Sequence, residues 1–270
     1  MITAGIDAGS RAIKIVVADG DGGPTTVLAR AAADQGVRQD VVVAELMQRV
    51  LAEAGMERSD VTRVIATGYG RNLVAEADAT VTEITCHARG VRAGVPDAQT
   101  VVEIGGQDSK IIHVGEDGAV YDFAMNDRCA AGTGRFIEVV AARLGVGLDE
   151  LGELAGRSRR PATISSMCVV FAETEIVGLL ASGAAPEDIV AGVLGAIARR
   201  VAGMAGRRVV APVVFTGGVA RVPGMDAALA EALGKEVVIA PDPQYTGALG
   251  AAIVARSDLP QRARRTAETE

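Results

Sequence analysis

The first segment whose residue types suit chemistry lies near the N-terminus, in the run from Asp7 to Arg11. A glycine between two strands lets the backbone turn tightly and approach a ligand. The Ser10 hydroxyl and nearby backbone N–H groups can donate hydrogen bonds to phosphate oxygens. Asp7 can hold a magnesium-bound water, and Lys14 can neutralise phosphate charge. The alternative is an ordinary hairpin in which Gly9 only turns the chain, and the sequence contains no Walker A pattern.

A second segment of the same kind runs from Glu103 to Lys110. Two glycines clear space here, Gln107 can orient a water molecule, and Asp108 can bind a metal ion or act as a base. In an in-line phosphoryl displacement, such groups position the reactants and stabilise charge. Gln107 and Asp108 are therefore the candidate catalytic residues. The alternative is a simple Gly-Gly turn at Gly106.

A third candidate is the end of an apolar strand at Gly217 and Gly218. Backbone without side chains lets a flat purine ring lie against it. Ligands of α/β proteins also bind beyond the carboxyl ends of strands. A plain left-handed turn after the strand is the alternative interpretation.

Two of the three cysteines, Cys129 and Cys168, directly precede predicted helices. N–H groups at a helix N-terminus stabilise thiolate or cluster-sulfide charge. A lone cysteine is more often a small buried hydrophobic side chain, and the sequence has no CxxC pair. One chain cannot supply four cysteine ligands from these two, whereas a symmetric dimer could share one cluster. We interpret Cys86-His87 and His113 as core residues and not as metal ligands.

The elements that position these residues alternate between short apolar strands and amphipathic helices, which predicts an α/β fold. The expected strands are 2–6, 13–18, 64–67, 101–104, 110–114, 119–123, 209–216 and 236–239, with a hairpin turn at 19–23. The expected helices are 40–54, 135–144, 173–181, 187–205, 225–233 and 248–255.

An internal duplication is indicated by the two acidic segments. Each opens a strand–turn–strand unit, and each has a lysine seven positions after the acid, at Lys14 after Asp7 and at Lys110 after Glu103. Self-similarity at a fixed separation is typical of a repeated structural unit. This arrangement is how the two halves of an actin-like ATPase begin.

Composition excludes several classes of function. The chain has 270 residues, 27 Lys plus Arg against 34 Asp plus Glu for a net charge of −7, no Trp and only 3% aromatic residues. Nucleic-acid binding needs clustered positive charge and stacking side chains, so it is not expected. The N-terminus lacks the features of a signal peptide, and no apolar run approaches the ~20 residues of a membrane span. We expect a cytoplasmic protein without a membrane partner.

Together the motifs strongly resemble the 2-hydroxyacyl-CoA dehydratase activators, which are grouped with the ATPase subunits of benzoyl-CoA reductases. The resemblance extends from Gly5 to about Ala255. The combination of Cys-Ala-Ala-Gly-Thr-Gly with a later Ser-Ser-x-Cys is its most specific mark. Its motifs are Gly5–Ser10, Ala66–Arg71, Ile104–Asp108, Asn126–Gly134, Ser165–Cys168, Phe171–Glu173, Thr216–Ala220 and Gln244–Ala252.

The resemblance implies an actin/Hsp70/sugar-kinase-like ATPase fold with two RNase H-like halves around a nucleotide cleft. The first half is expected at 1–98 plus 245–260, the second, with the cluster cysteines, at 99–244, and a flexible tail at 261–270. It also implies a homodimer that holds one oxygen-labile [4Fe-4S] cluster between Cys129 and Cys168 of each chain. ATP with Mg²⁺ is expected to contact Asp7, Ser10, Arg11, Lys14, Gly106, Gln107, Asp108, Gly217, Gly218 and Gln244.

In such activators a reduced ferredoxin or flavodoxin loads the cluster, and ATP hydrolysis drives the electron on to an acyl-CoA dehydratase. An ATPase component of a benzoyl-CoA reductase is the alternative within the family, and a small-molecule kinase or a nucleotide-sensing scaffold are alternatives outside it. Two residues depart from the family pattern: Glu103 replaces a common Asp, and Arg11 replaces a small hydroxyl residue. The sequence does not identify the acyl-CoA, the natural electron donor or the oxygen tolerance of the host.

Overall fold

The computed structural model describes residues 1–20, 23–165, 168–206 and 208–257. The chain divides into two compact units, one formed by residues 1–90 with the chain from Gly247 onward and the other by residues 91–246. The sequence-based limits of the halves lay after residues 98 and 244. The expected tail at 261–270 lies outside the described residues.

Ten strands and eight helices are present in the described residues, together with five short 3-10 helices. The strands are β1 (Ile2–Ala8), β2 (Ala12–Asp19), β3 (Thr26–Asp34), β4 (Arg63–Thr67), β5 (Ala79–Thr80), β6 (Thr100–Ile104), β7 (Ser109–Val114), β8 (Val120–Asn126), β9 (Val213–Thr216) and β10 (Val237–Ile239). The helices are α1 (Gln39–Glu53), α2 (Glu83–Gly94), α3 (Gly134–Leu144), α4 (Glu150–Gly156), α5 (Val169–Ala181), α6 (Pro186–Ala205), α7 (Met225–Leu233) and α8 (Thr246–Val254).

Each unit contains one five-stranded sheet, and the two sheets share one topology. The strand orders are β3-β2-β1-β4-β5 and β10-β9-β6-β7-β8. In both, the first three strands form an antiparallel meander, and the last two add in parallel beside the first strand. The α/β prediction and the predicted duplication of the strand–turn–strand unit are therefore confirmed.

The middle strands of both sheets are buried along nearly their whole length. In β6 and β9 every residue is buried, and β1 is buried from Thr3 to Ala8. Burial of consecutive residues means that both faces of the sheet are covered, which is why these strands read as continuous apolar runs. Rigid central strands give fixed starting points for the turns that follow them.

Several elements differ from the sequence expectations. The strand expected at 209–216 begins only at Val213, because the backbone of Val210 exchanges hydrogen bonds with the side chain of Thr100 instead of joining the ladder. Helix α5 begins at Val169. The expected start at residue 173 was too late because residues 169–171 are of types that favour strands. The alanine-rich β3 and the short α4 were not expected, and neither was α2. Of the hairpin turn expected at 19–23, Asp21 and Gly22 lie outside the described residues.

None of the helices in the described part of the chain is both long and apolar enough to cross a bilayer.

Candidate functional site

The first candidate set follows β1, where Asp7 and Lys14 face each other across the ladder between β1 and β2. Lys14 Nζ lies 2.8 Å from Asp7 Oδ2, and both side chains are largely buried. The ammonium also donates to the carbonyl of Ala12 at 3.3 Å. The sequence thus places a lysine charge beside the turn, and that charge already has a carboxylate partner.

Ser10 and Arg11 form the turn itself, between β1 and β2. Ser10 is half-buried and Arg11 is exposed. The Arg11 guanidinium lies 3.6 Å from the carboxylate of Asp34, at the end of β3. The turn therefore presents one hydroxyl and one guanidinium directly beyond the paired Asp7.

His87 is a neighbour of Asp7 that sequence reasoning did not assign to this set. A Cβ atom added at Gly247 would lie 3.2 Å from Asp7 Oδ2 and 3.2 Å from His87 Nε2, so both side chains line the start of α8. His87 was expected to be a core residue, and it is 6% exposed. Only tertiary packing brings α2 and α8 to this strand end, so no local sequence signal could have found it.

The second candidate set is built around a buried lysine. Lys110 pairs with Glu103 across β6 and β7, with Nζ 2.7 Å from Oε2. The same nitrogen lies 2.8 Å from Asp108 Oδ2, and Lys110 is only 1% exposed. Lys110 was not among the predicted site residues, although its spacing from Glu103 repeats that of Lys14 from Asp7.

The loop that carries Gly106, Gln107 and Asp108 is fastened to the start of α3. The Gly134 N–H donates to the Gly105 carbonyl at 2.9 Å, and the Arg135 N–H donates to the Gly106 carbonyl at 2.8 Å. Thr133 caps α3, its hydroxyl accepting from the Arg135 N–H at 3.3 Å. Gln107 itself is exposed. A movement of this loop therefore acts directly on the first turn of α3.

The third candidate set joins the end of β9 to the loop before α8. Gly217 adopts a φ of +93°, a left-handed conformation that favours glycine. Its N–H donates to the Pro243 carbonyl at 3.0 Å, and the Thr216 hydroxyl donates to the same oxygen at 2.7 Å. Gln244 is held by Arg221, whose Nη1 donates to Oε1 at 2.7 Å. Gly217 and Gln244 are thus brought to one loop junction.

The second and third sets also meet each other. A Cβ atom at Gly217 would lie 2.7 Å from Glu103 Oε1. The carboxyl ends of β6 and β9 are parallel neighbours in the same sheet, which is where α/β proteins bind ligands. Glu103, Asp108 and Gly217 therefore share one edge of this sheet.

Cys129 and Cys168 both lie immediately before helical segments. Cys129 is half-buried and precedes a 3-10 helix, Ala130–Gly132, that leads into α3. Cys168 is exposed and occupies the N-cap position of α5. Both residues are more exposed than Cys86, which is 0% exposed as expected for a core cysteine. Ser166 and Met167 of the second cysteine motif lie outside the described residues.

The helices that follow the two cysteines are tied together. Arg143 near the end of α3 donates a hydrogen bond to Glu173 in the first turns of α5. Ser165 is likewise bonded to Glu175 of α5, through its N–H at 2.9 Å and its hydroxyl at 2.7 Å. Both cysteine loops are therefore anchored to one pair of packed helices.

No group of three or more His, Cys, Asp or Glu side chains gathers into a metal site within the described part of the chain. Two accessible cysteines at helix starts fit a cluster that takes only two ligands from each chain, as a shared cluster would.

Comparison with known proteins decides the family. Residues 4–255 match the sequence pattern of the BadF/BadG/BcrA/BcrD ATPase family. The chain belongs to this ATPase family. Among its relatives, the (R)-2-hydroxyglutaryl-CoA dehydratase activating ATPase of Acidaminococcus fermentans is 44% identical over 255 residues, covering 94% of this chain and 96% of the relative. A benzoyl-CoA reductase subunit of Thauera aromatica is 34% identical over 264 residues, covering 93% of this chain and 92% of that one.

Solved structures of the same ATPase family have the same fold. The activator of the 2-hydroxyisocaproyl-CoA dehydratase from Clostridium difficile, with bound ADPNP, has a TM-score of 0.88 and 39% identity, with 94% of each chain covered. Component A of the Acidaminococcus fermentans (R)-2-hydroxyglutaryl-CoA dehydratase has a TM-score of 0.89 and 43% identity, covering 94% of this chain and 97% of that one. A ROK-family glucokinase from Streptomyces griseus shares the fold alone, with 16% identity and a TM-score of 0.57. The match covers 95% of this chain and 99% of the glucokinase chain. The predicted actin-like ATPase and sugar-kinase fold is confirmed.

Proposed function

We propose that this ATPase is a reductive activator, which uses ATP hydrolysis to pass a low-potential electron from a [4Fe-4S] cluster to a 2-hydroxyacyl-CoA dehydratase. The observation that carries the proposal is the pair of backbone hydrogen bonds from Gly134 and Arg135 to Gly105 and Gly106. They join the loop of the candidate catalytic residues to the helix that follows Cys129. A conformational change at the nucleotide is therefore transmitted to Cys129 through these two hydrogen bonds and the short chain segment between Cys129 and Gly134.

ATP binding rests on the three residue sets described above. Ser10, Arg11 and Lys14 supply donors and positive charge for phosphate oxygens. Gly217, Gly218 and Gln244 supply open backbone and one amide for the nucleoside. Asp7 and Asp108 are carboxylates that suit a magnesium ion with its water shell. Gln107 and Asp108 orient and activate the attacking water.

The cluster ligands in this proposal are Cys129 and Cys168 from each chain of a homodimer. Backbone N–H groups at helix starts offset negative charge on thiolates and on cluster sulfides. When bound, a [4Fe-4S] cluster supplies a one-electron carrier. Cys129 and Cys168 would hold it, and the hydrogen bond between Arg143 and Glu173 joins the helices that follow these cysteines. A shift of α3 relative to α5 would change the orientation of the helix dipoles around the cluster. The reduction potential of the cluster would change as a result.

The proposal requires two partners, an electron donor and an electron acceptor. A reduced ferredoxin or flavodoxin would load the electron, and the acceptor would be an acyl-CoA dehydratase. Because the Thauera aromatica benzoyl-CoA reductase protein is also a relative, the alternative acceptor is a benzoyl-CoA reductase-type component. A permanent hetero-oligomer on purification would favour the reductase, and a transient encounter would favour the dehydratase.

The deciding experiment measures iron and acid-labile sulfide on protein purified without oxygen. One cluster per homodimer predicts about two irons per chain. The iron should be lost in Cys129→Ala and in Cys168→Ala and kept in Cys86→Ala, the matched control for a buried thiol. Both iron-free variants should still bind ATP but should no longer support ATP-dependent reduction of a purified 2-hydroxyacyl-CoA dehydratase.

A folded, ATP-binding protein that holds no iron after attempted reconstitution would rule out the activator. Phosphoryl transfer to an added sugar or acyl substrate, unaffected by either cysteine variant, would instead identify a small-molecule kinase.

A further inference from the structure

A polar pocket of about 580 Å³ lies on the second unit, between the end of β8 and the end of α6. Its lining includes Asn126, Asp127 and Arg128 from the chain after β8, and Arg200 and Met204 from α6. None of these side chains belongs to the nucleotide residues or to the cysteine ligands of the proposed function.

One wall of the pocket is the Cys129 loop. Asn126 Nδ2 donates to the Cys129 carbonyl at 2.7 Å, and the Cys129 N–H donates back to Asn126 Oδ1 at 3.1 Å. A Cβ atom added at Gly132, in the same loop, would lie 3.1 Å from Arg200 Cδ and 3.4 Å from Asn126 Nδ2. The stem of Arg200 therefore packs against the loop whose cysteine is the proposed cluster ligand.

The charges of the pocket favour an anion. Two guanidinium groups and one carboxylate line it. Arg128 is 95% exposed, and its Nε reaches Asp127 Oδ1 only at 4.0 Å. In the part of the chain that the structure describes, Arg200 forms no ion pair. Planar guanidinium groups are well suited to bind carboxylates in a bidentate fashion.

We propose that this pocket docks a surface carboxylate of the acidic protein that donates the electron. The inference rests on the proposed function and names the docking site of its reductant. A chain with a net charge of −7 repels an acidic partner at long range. A local pair of arginines beside Cys129 overcomes this repulsion at one place and so orients the encounter.

The polarity of the pocket fits this donor better than a second copy of the chain. Stable interfaces have an apolar core, and the exposed apolar residues Val170 and Phe171 lie beside Cys168 instead. Electron-transfer encounters are small, charged and short-lived. In each encounter the donor loses one electron and the activator gains it, and no atom or proton moves between them.

The test measures binding and electron transfer separately. Iron-loaded protein is titrated calorimetrically with oxidised 2[4Fe-4S] ferredoxin of negative net charge, at low and at high ionic strength. Arg200→Gln and Arg128→Gln should each weaken binding roughly five- to tenfold at low salt. Asp127→Asn should tighten it, and high salt should reduce all these differences. Stopped-flow reduction by the reduced ferredoxin should change in the same order.

Arg157→Gln is the matched control, because Arg157 lies outside the pocket and bonds to the Glu153 carbonyl. Unchanged ferredoxin affinity in both pocket variants, at normal iron content and ATPase rate, would overturn the docking site and leave the proposed function standing. A change of oligomeric state in either variant would also overturn it, because the pocket would then lie between copies of the chain. Wild-type protein without iron would defeat the proposed function itself, and this inference with it.

Discussion

Lys110 pairs with Asp108 from a buried position, with Nζ 2.8 Å from Oδ2. The same ammonium pairs with Glu103 at 2.7 Å, so one lysine is shared by two carboxylates. In the first unit the equivalent pair joins Lys14 Nζ to Asp7 Oδ2 at 2.8 Å. The group around Asp108 therefore keeps one net negative charge, and we expect this charge to attract a magnesium ion to Asp108.

Replacement of Asp108 by Asn tests its assignment as a catalytic residue. The amide keeps the size of the side chain but loses the charge that activates water and binds the metal. We expect the ATPase turnover number to fall about 10²- to 10⁴-fold, with ATP affinity changed much less. Steady-state phosphate release gives the turnover number, and a fluorescent ATP analogue gives the affinity.

The control for this variant is Asp117→Asn, at an exposed turn residue whose carboxylate accepts from the Ala119 N–H at 2.9 Å. It should leave both quantities unchanged. A turnover number of Asp108→Asn within twofold of the wild type would show that this carboxylate has no part in hydrolysis.

Replacement of Lys110 by Met tests the structural role of the buried ammonium. Methionine fills a similar volume but leaves Glu103 and Asp108 without their shared cation. Removal of one partner of a buried ion pair costs about 3–5 kcal/mol, and we expect a loss of that size in the free energy of unfolding from urea titration. Arg208→Met is the comparison, because its pair with Asp122 is exposed and should contribute about 0–1 kcal/mol. Equal losses in the two variants would contradict the role assigned to Lys110.

Much of this site follows from local sequence spacing. In an antiparallel hairpin, two residues on either side of a tight turn become cross-strand partners, so an acid and a lysine seven positions apart face each other. This is what joins Asp7 to Lys14 and Glu103 to Lys110. The repeated spacing predicts the duplicated strand–turn–strand unit, whereas the complete two-half ATPase fold was expected from the family resemblance.

Other parts of the site depend on contacts that spacing does not specify. The N–H groups of Gly134 and Arg135 reach back to the Gly105 loop, and His87 lies beside Asp7 at the start of α8. Elements far apart in sequence create these contacts through tertiary packing. The same is true of the pocket at Arg200, whose walls come from β8 and α6.

Two glycines in helices give opposite predictions for the same substitution. A Cβ at Gly250 of α8 would overlap the Cys86 carbonyl, whereas a Cβ at Gly178 of α5 would meet nothing within 4 Å. Gly250→Ala should therefore lower the free energy of unfolding by about 1–3 kcal/mol through overpacking. Gly178→Ala should raise it by about 0.4–1 kcal/mol, because alanine restricts the unfolded chain. Urea titration of both variants measures the two signs, and a stable Gly250→Ala would show that α8 can move away from α2.

Cys86 gives a prediction about pH. Burial raises the pKa of its thiol to about 12, whereas an unfolded cysteine has a pKa of about 8.5. Below the unfolded value the thiol is protonated in both states, and its contribution to stability is fully present. Above that value the unfolded state loses the proton first, so the contribution falls as pH rises toward 12.

The measurement compares urea unfolding of iron-free wild type and Cys86→Ala at pH 8, 9 and 10. Other alkaline effects are common to both proteins and cancel in the difference between their free energies of unfolding. The free energy of unfolding of the wild type should fall, relative to that of Cys86→Ala, by about 1.4 kcal/mol per pH unit above pH 9. The thiol is completely buried between β4 and α8, which disfavours its ionisation in the folded protein. A difference that stays constant with pH would contradict this, because the thiol would then ionise as readily in the folded protein as in the unfolded one.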